Sequence, residues 1–227
     1  MEKFLVIDVE TANGLDFPMV YDFGYAVADK TGKIYQTGSF IINDIFEREP
    51  ELMTSAYYAK KIPMYLEKIA NKEMEVITFM RLRGIVREVM EKYGITTVCA
   101  YNARFDRLAM DTTLRYLTKS AKRWFFPYGT NFHCIQHMAC QVLFTQKTYV
   151  KVAMREGWTT PKGYLKTTAE SAFQYITGNY QFEEAHTGLQ DVEIEIQIMA
   201  VCYRQKKKMV KTPNRAAWRI PQAKKVA

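Results

Sequence analysis

Paired cysteines are missing from this sequence. The four it has (Cys99, Cys134, Cys140 and Cys202) are scattered, with no Cys-x-x-Cys spacing. That excludes a disulfide framework and suits a reduced, intracellular protein. No apolar run approaches the ~20 residues that a membrane-spanning helix needs. No secretory leader follows Met1, so a cytoplasmic location and no membrane partner are expected. No internal repeat is found, and acidic residues are absent from the last stretch. From Arg204 to Ala227 there are nine Lys or Arg and no Asp or Glu, while the formal net charge of the whole chain is +8. The preceding body is therefore close to neutral.

What is present is ample core material. Apolar residues make up 48% of the 227 and aromatics 14%, which excludes wholesale disorder and suits one sizeable domain. We read 1–208 as that domain and 209–227 as a basic C-terminal tail. Such a tail either tracks a polyanion, most often nucleic acid, or is a solvated terminus that aids solubility.

The chain opens on Phe4-Leu5-Val6-Ile7-Asp8-Val9-Glu10, four apolar residues running into two carboxylates. Side chains alternate along a strand, so Asp8 and Glu10 share a face. At ~4 Å and an effective dielectric near 20, two such charges repel by roughly 4 kcal/mol. A raised pKa or a divalent cation is the usual compensation. The alternative is a strand whose acids simply emerge into solvent.

Two further strands are predicted over 22–28 and 34–42, with Asp29-Lys30-Thr31-Gly32 as the hairpin between them and the first strand internal. Helical patterning takes over from Glu51, with Pro63 dividing one segment (51–61) from another (64–71). Tyr57, Tyr58 and Tyr65 there either touch a ligand or pack with their hydroxyls outward. Val76, Phe79, Met80, Val86, Val89 and Met90 mark one side of a helix that Gly94 stops. Residues 95–100 read as a short buried strand delivering Tyr101-Asn102-Ala103-Arg104-Phe105-Asp106. Asp106 thus lies at a strand-to-helix junction, where α/β sheets place ligand-binding residues; a helix-capping role is the alternative.

Lys122-Arg123-Trp124-Phe125-Phe126-Pro127 has the composition of a base-stacking platform, or of loop packing. Residues 132–135 are expected to form a fifth strand leading into a helix. His133, Cys134, His137 and Cys140 have no second ligand pair nearby and read as packing rather than as a zinc site. Residues 145–166 are basic and weakly patterned, as in a loop or lid. Thr167-Thr168-Ala169-Glu170 has the form of a capping box before a short helix. Finally, His186-Thr187-Gly188-Leu189-Gln190-Asp191 leads into a long helix whose buried stripe is Leu189, Val192, Ile196, Met199 and Tyr203. Asp191 falls off that stripe, beside a loop histidine.

In order, the chain presents Asp-x-Glu, Asn-x-x-Phe-Asp and His-x-x-x-x-Asp. This resembles the DEDDh 3′–5′ exonucleases, which include polymerase proofreading subunits, RNase T and oligoribonuclease, over roughly residues 3–205. The resemblance implies an α/β, ribonuclease H-like fold: a five-stranded mixed sheet, its first three strands antiparallel, flanked by helices. It also implies two Mg²⁺ or Mn²⁺ ions on Asp8, Glu10, Asp106 and Asp191, with His186 taking a proton from the attacking water. Glu183 and Glu184, close in sequence, are expected to raise that histidine's pKa. Thr11, Asn102 and Phe105 would hold the terminal nucleotide, and Trp124, Phe125 and the tail are further strand contacts to test. The implied partner is single-stranded nucleic acid with a free 3′ end; a polymerase partner and a homodimer are further associations known in the family. Two departures stand out: Thr11-Ala12-Asn13 replaces the frequent Thr-Thr-Gly, and Gly188 stands where Ala is frequent. The competing reading is a nucleic-acid-binding or polymerase-accessory module in which catalysis is secondary.

Overall fold

The opening apolar run, Phe4–Ile7, becomes a strand covered on both sides. In the computed structural model, which describes residues 1–224, β1 (Lys3–Ala12), β2 (Met19–Asp29) and β3 (Ile34–Ile42) form an antiparallel meander. Next come α1 (Asn43–Phe46), α2 (Pro50–Thr54), a 3-10 turn (Ala59–Lys61) and α3 (Ile62–Ala70). β4 (Glu75–Ile77), α4 (Phe79–Tyr93), β5 (Thr97–Ala100), α5 (Ala103–Thr118), β6 (Asn131–Cys134) and α6 (Ile135–Val142) follow. The last helices are α7 (Lys147–Arg155), α8 (Ala169–Thr177) and α9 (Gly188–Arg204).

The sheet order is β4-β3-β2-β1-β5-β6, with β4, β5 and β6 each joined in parallel, so β1 is internal as expected. The sheet has six strands rather than five. Glu75–Ile77 pairs with Phe40–Ile42 at the edge. Three residues are too few to display a strand period, and Val76 reads as the start of the next helix. That helix instead begins after Thr78, whose side chain accepts the Arg81 backbone N–H. Pro63 does not divide two helices; it sits in the first turn of α3, where a missing N–H costs nothing. Residues 145–166 are not all loop, because α7 buries Tyr149 and Ala153. The capping box is displaced by one: Thr168 caps α8 by accepting Ser171 N–H, while Glu170 accepts Glu184 N–H.

Two cores lie on the two faces of the sheet. Leu5, Ile7 and Val9 of β1 join Phe23, Tyr25 and Val27 of β2 under α4 and α5. Phe4 and Val6 join Ala26 and Ala28 under α6, α8 and α9. β2 is thus large on one face and small on the other, and the small face (Gly24, Ala26, Ala28) lets α9 sit close to the sheet. α9 is buried well beyond one stripe, taking in Ile194 and Ile198 as well as Val192 and Ile196.

The basic stretch read as a tail packs onto the body. Lys211 O accepts Cys134 N–H, Thr212 O pairs with His137 Nδ1, and the Gln222 amide bridges both backbone groups of Leu165. Ala217 is part of the core. Among the described residues, no helix is long and apolar enough to cross a membrane.

A candidate active site of clustered acids

Asp8 and Glu10 fall on the α9 side of β1, opposite Gly24 and Asp22 of β2. Asp106 enters from the first turn of α5, and Asp191 from the first turn of α9, with His186 on the loop before it. All five line one cleft of about 370 Å³, together with Asn102 and Phe105. Ligand atoms of Glu10, His186 and Asp191 lie within 4.8 Å of one another. Thr11, by contrast, follows a bulge at Glu10/Thr11 and is not among the residues lining the cleft.

The acids strain against one another. Burial pushes the Asp8 carboxyl well above the carboxylate range, and the charges of Glu195, Asp106, Glu10 and Asp191 push it further. Glu10 is driven up to about 9 by burial and then by Asp22 and Asp191, with Lys61 opposing. Burial, then Glu184, drives Asp191 up to about 8. Burial takes Asp106 up to about 7 against backbone hydrogen bonds. Asp191 Oδ1 is buried without a hydrogen-bond partner. Hard oxygen donors, mutual repulsion and an orphaned carboxylate oxygen together fit a divalent cation.

His186 is held rather than loose. Its ring stacks on Tyr58 at 4.5 Å between centroids, and its backbone sits in the left-handed region at φ 51°. Lys61 Nζ donates to the carbonyls of Ala185 and His186 and lies over the Tyr58 ring at 4.8 Å. Burial and then Lys61 lower the His186 pKa below 6.5, contrary to the expected rise. Glu184 Oε2 is 3.9 Å from its Nδ1, but burial and Glu170 raise Glu184 itself to about 7, weakening its charge. Glu183 is exposed.

Sequence reasoning missed three of these groups. Glu195, 2% exposed, lies one turn beyond Asp191 and accepts the Tyr101 backbone N–H at 3.0 Å. Asp22 accepts Tyr65 Oη–H at 2.8 Å and Gly188 N–H at 3.1 Å, tying β2 to the start of α9. Lys61 is the third. A carboxylate inside the fully buried run of β2 was the available signal for Asp22. Glu195 had only its i+4 spacing from Asp191. Of the aromatic platform, Phe125 is fully buried and cannot touch a strand, while Trp124 is 54% exposed and carries Arg107 and Arg115 against its ring.

No family model matches the sequence, and no curated protein matches it. Solved structures do match the fold. Escherichia coli Exonuclease I, in complex with a dA16 oligonucleotide, is similar over 91% of this chain and 42% of its own, with a TM-score of 0.55 and 14% identity. Cell-death related nuclease 4 is similar over 92% of this chain and 66% of its own, with a TM-score of 0.52 and 11% identity. Exonuclease I of Methylocaldum szegediense is similar over 91% and 42%, with a TM-score of 0.52 and 17% identity. The fold is therefore one that exonucleases use, in agreement with the resemblance read in the motifs. In particular it is similar to the fold of Exonuclease I, of whose length this chain spans about two fifths.

Proposed function

We propose that this chain is a divalent-metal-dependent 3′–5′ exonuclease of the DEDDh type, acting on single-stranded or frayed nucleic acid. The observation that carries this reading is the convergence of Asp8, Glu10, Asp106, Asp191 and His186, from three separate stretches of the chain, on one cleft. A scaffold has no need to bury so much like charge. The shared fold and the oligonucleotide complex of Exonuclease I support the substrate class.

The four Asp and Glu side chains would hold two Mg²⁺ or Mn²⁺ ions. Bound there, such ions supply Lewis acidity for an in-line displacement at a phosphodiester. The protein's own groups do the rest. Asn102 and Phe105 flank the terminal nucleotide. His186, neutral at pH 7 with its pKa lowered, accepts a proton from the attacking water. Tyr58 and Lys61 fix the plane and height of the imidazole, so the proton acceptor is oriented before substrate enters. The product is a nucleoside 5′-monophosphate.

The test uses 5′-labelled single-stranded DNA and RNA with Mg²⁺, with EDTA, and with Asp8→Ala. A ladder shortening from the 3′ end, lost in EDTA and in the variant, is the expected result. An oligonucleotide that is bound but left intact in both Mg²⁺ and Mn²⁺ overturns the reading in favour of a binding module.

A further inference from the structure

Beside the acid cleft lies a second hollow of a different character, about 580 Å³, and the two share the wall residues Gln136, Thr167 and Thr168. No Asp or Glu lines this hollow; Lys162 and Lys166 do, with Tyr164, Leu165 and Trp218. Tyr164, 42% exposed, meets Trp218 edge to face at 5.3 Å between centroids.

The hollow is built before any ligand arrives. Thr159 and Leu165 bridge as a small hairpin, closed by Thr160 N–H to Tyr164 O at 2.8 Å and Tyr164 N–H to Thr160 Oγ1 at 3.1 Å. The Gln222 amide locks that hairpin to the C-terminal segment, accepting Leu165 N–H at 2.9 Å and donating to Leu165 O at 3.1 Å. Gln222 Nε2 also donates to Trp218 O at 3.0 Å, so the tryptophan and the hairpin are held by one side chain. The shared wall is equally fixed: Tyr101 Oη–H and Gln136 Nε2 both donate to Thr167 O.

We propose that this hollow is a strand-binding subsite: it stacks the bases that lie 5′ of the scissile phosphate while the terminal nucleotide occupies the acid cleft. The inference rests on the exonuclease reading above and adds the residues that grip the strand. Each base offers a π-face, and flat side chains with neighbouring cations bind single strands without reading sequence. The division of labour follows from charge. A cleft lined by carboxylates repels a polyphosphate backbone, whereas the acid-free hollow with Lys162 and Lys166 attracts it. Trp218 also lies outside the stretch 3–205 that carries the motif resemblance, so the C-terminal segment supplies a wall of its own.

The test measures binding of a 5′-fluorescein dT12 oligonucleotide to the full chain in EDTA, where no metal-dependent cleavage occurs. Trp218→Ala and, separately, Tyr164→Ala are expected to weaken binding roughly 5- to 150-fold, the range for stacking of one base on an aromatic ring. Trp218→Phe is expected to restore most of it. An abasic unit placed one to three nucleotides from the 3′ end should weaken wild-type binding but leave the binding of Trp218→Ala unchanged. Wild-type affinity in both alanine variants, or an abasic scan that is flat in the wild type, overturns the subsite even if the strand is degraded. Position-dependent binding without any hydrolysis in Mg²⁺ or Mn²⁺ leaves the subsite standing and sinks the exonuclease reading instead.

Discussion

Gly24 of β2 and Gly188 of α9 meet backbone against backbone, with no room for a side chain on either. A Cβ on Gly24 would fall 2.1 Å from Gly188 C, and one on Gly188 would fall 2.5 Å from Gly24 N. Gly24 pairs with Asp8 across the β1–β2 ladder, and Asp22 holds the Gly188 N–H. The approach of the two glycines therefore sets how far Asp191 stands from Asp8. It also accounts for glycine at 188 in place of the more frequent alanine.

Gly188→Ala and Gly24→Ala are accordingly expected to destabilise the protein by about 1–3 kcal/mol or more, since the obstructing atoms are backbone and cannot swing aside. Activity should fall with them as α9 lifts. Gly84→Ala is the control: a Cβ there meets nothing within 4 Å in the middle of α4, so a gain of roughly 0.5–1 kcal/mol is expected. Urea unfolding of the three variants measures both signs.

His186→Ala should lower kcat about 100- to 10,000-fold, the usual worth of a positioned general base. The fold should survive, because the imidazole is only partly buried. With burial and Lys61 lowering its pKa, the acid limb of the wild-type rate profile should lie below pH 6.5. A limb above that value would remove His186 from the role.

The clustered acids make the metal-free protein sensitive to alkali. Folded-state values of about 9 for Glu10, about 8 for Asp191 and about 7 for Asp106 lie above their unfolded values. The folded chain therefore binds more protons than the unfolded chain between about pH 4 and pH 9, and stability falls as pH rises through that window. In EDTA the melting temperature should drop across it, and Mg²⁺ or Mn²⁺ should restore most at the upper end. Asp8→Asn should raise the melting temperature in EDTA and blunt the response to metal. A flat profile in EDTA would contradict this account.

Removing 209–227 should cost several kcal/mol of stability rather than merely trim charge. Hydrogen bonds from Cys134, His137 and Gln141 to this stretch are lost with it, and the buried Ala217 leaves the core. A lower urea midpoint, with less soluble protein, is the expected outcome. A truncation that unfolds like the full chain would return the stretch to the status of a free tail.

Much of this was legible before any coordinates. Asp8 and Glu10 announce themselves by alternation on an apolar strand, and Asp106 and Asp191 by standing where a strand or loop turns into a helix. β4 escaped because three residues carry no period. Glu195 escaped because α9 bears acids at 191, 193 and 195, and only burial separates Glu195 from the exposed Glu193. Asp22 was hidden differently: its value lies in the Gly188 N–H it accepts, 166 residues away, a pairing that local pattern cannot announce. The near-neutral body and basic end suggested two parts, yet hydrogen bonds ignore that division.

That 166-residue separation between Asp22 and Gly188 also has a consequence in time. A ribosome working at 5–20 residues per second needs roughly 8–33 s to travel between them. For that interval β1 and β2 exist with their acids while α9 has yet to be made. Neither Asp191 nor His186 can join Asp8 during it, so the acid cluster stays incomplete. The five side chains of the cleft come together only when α9 docks.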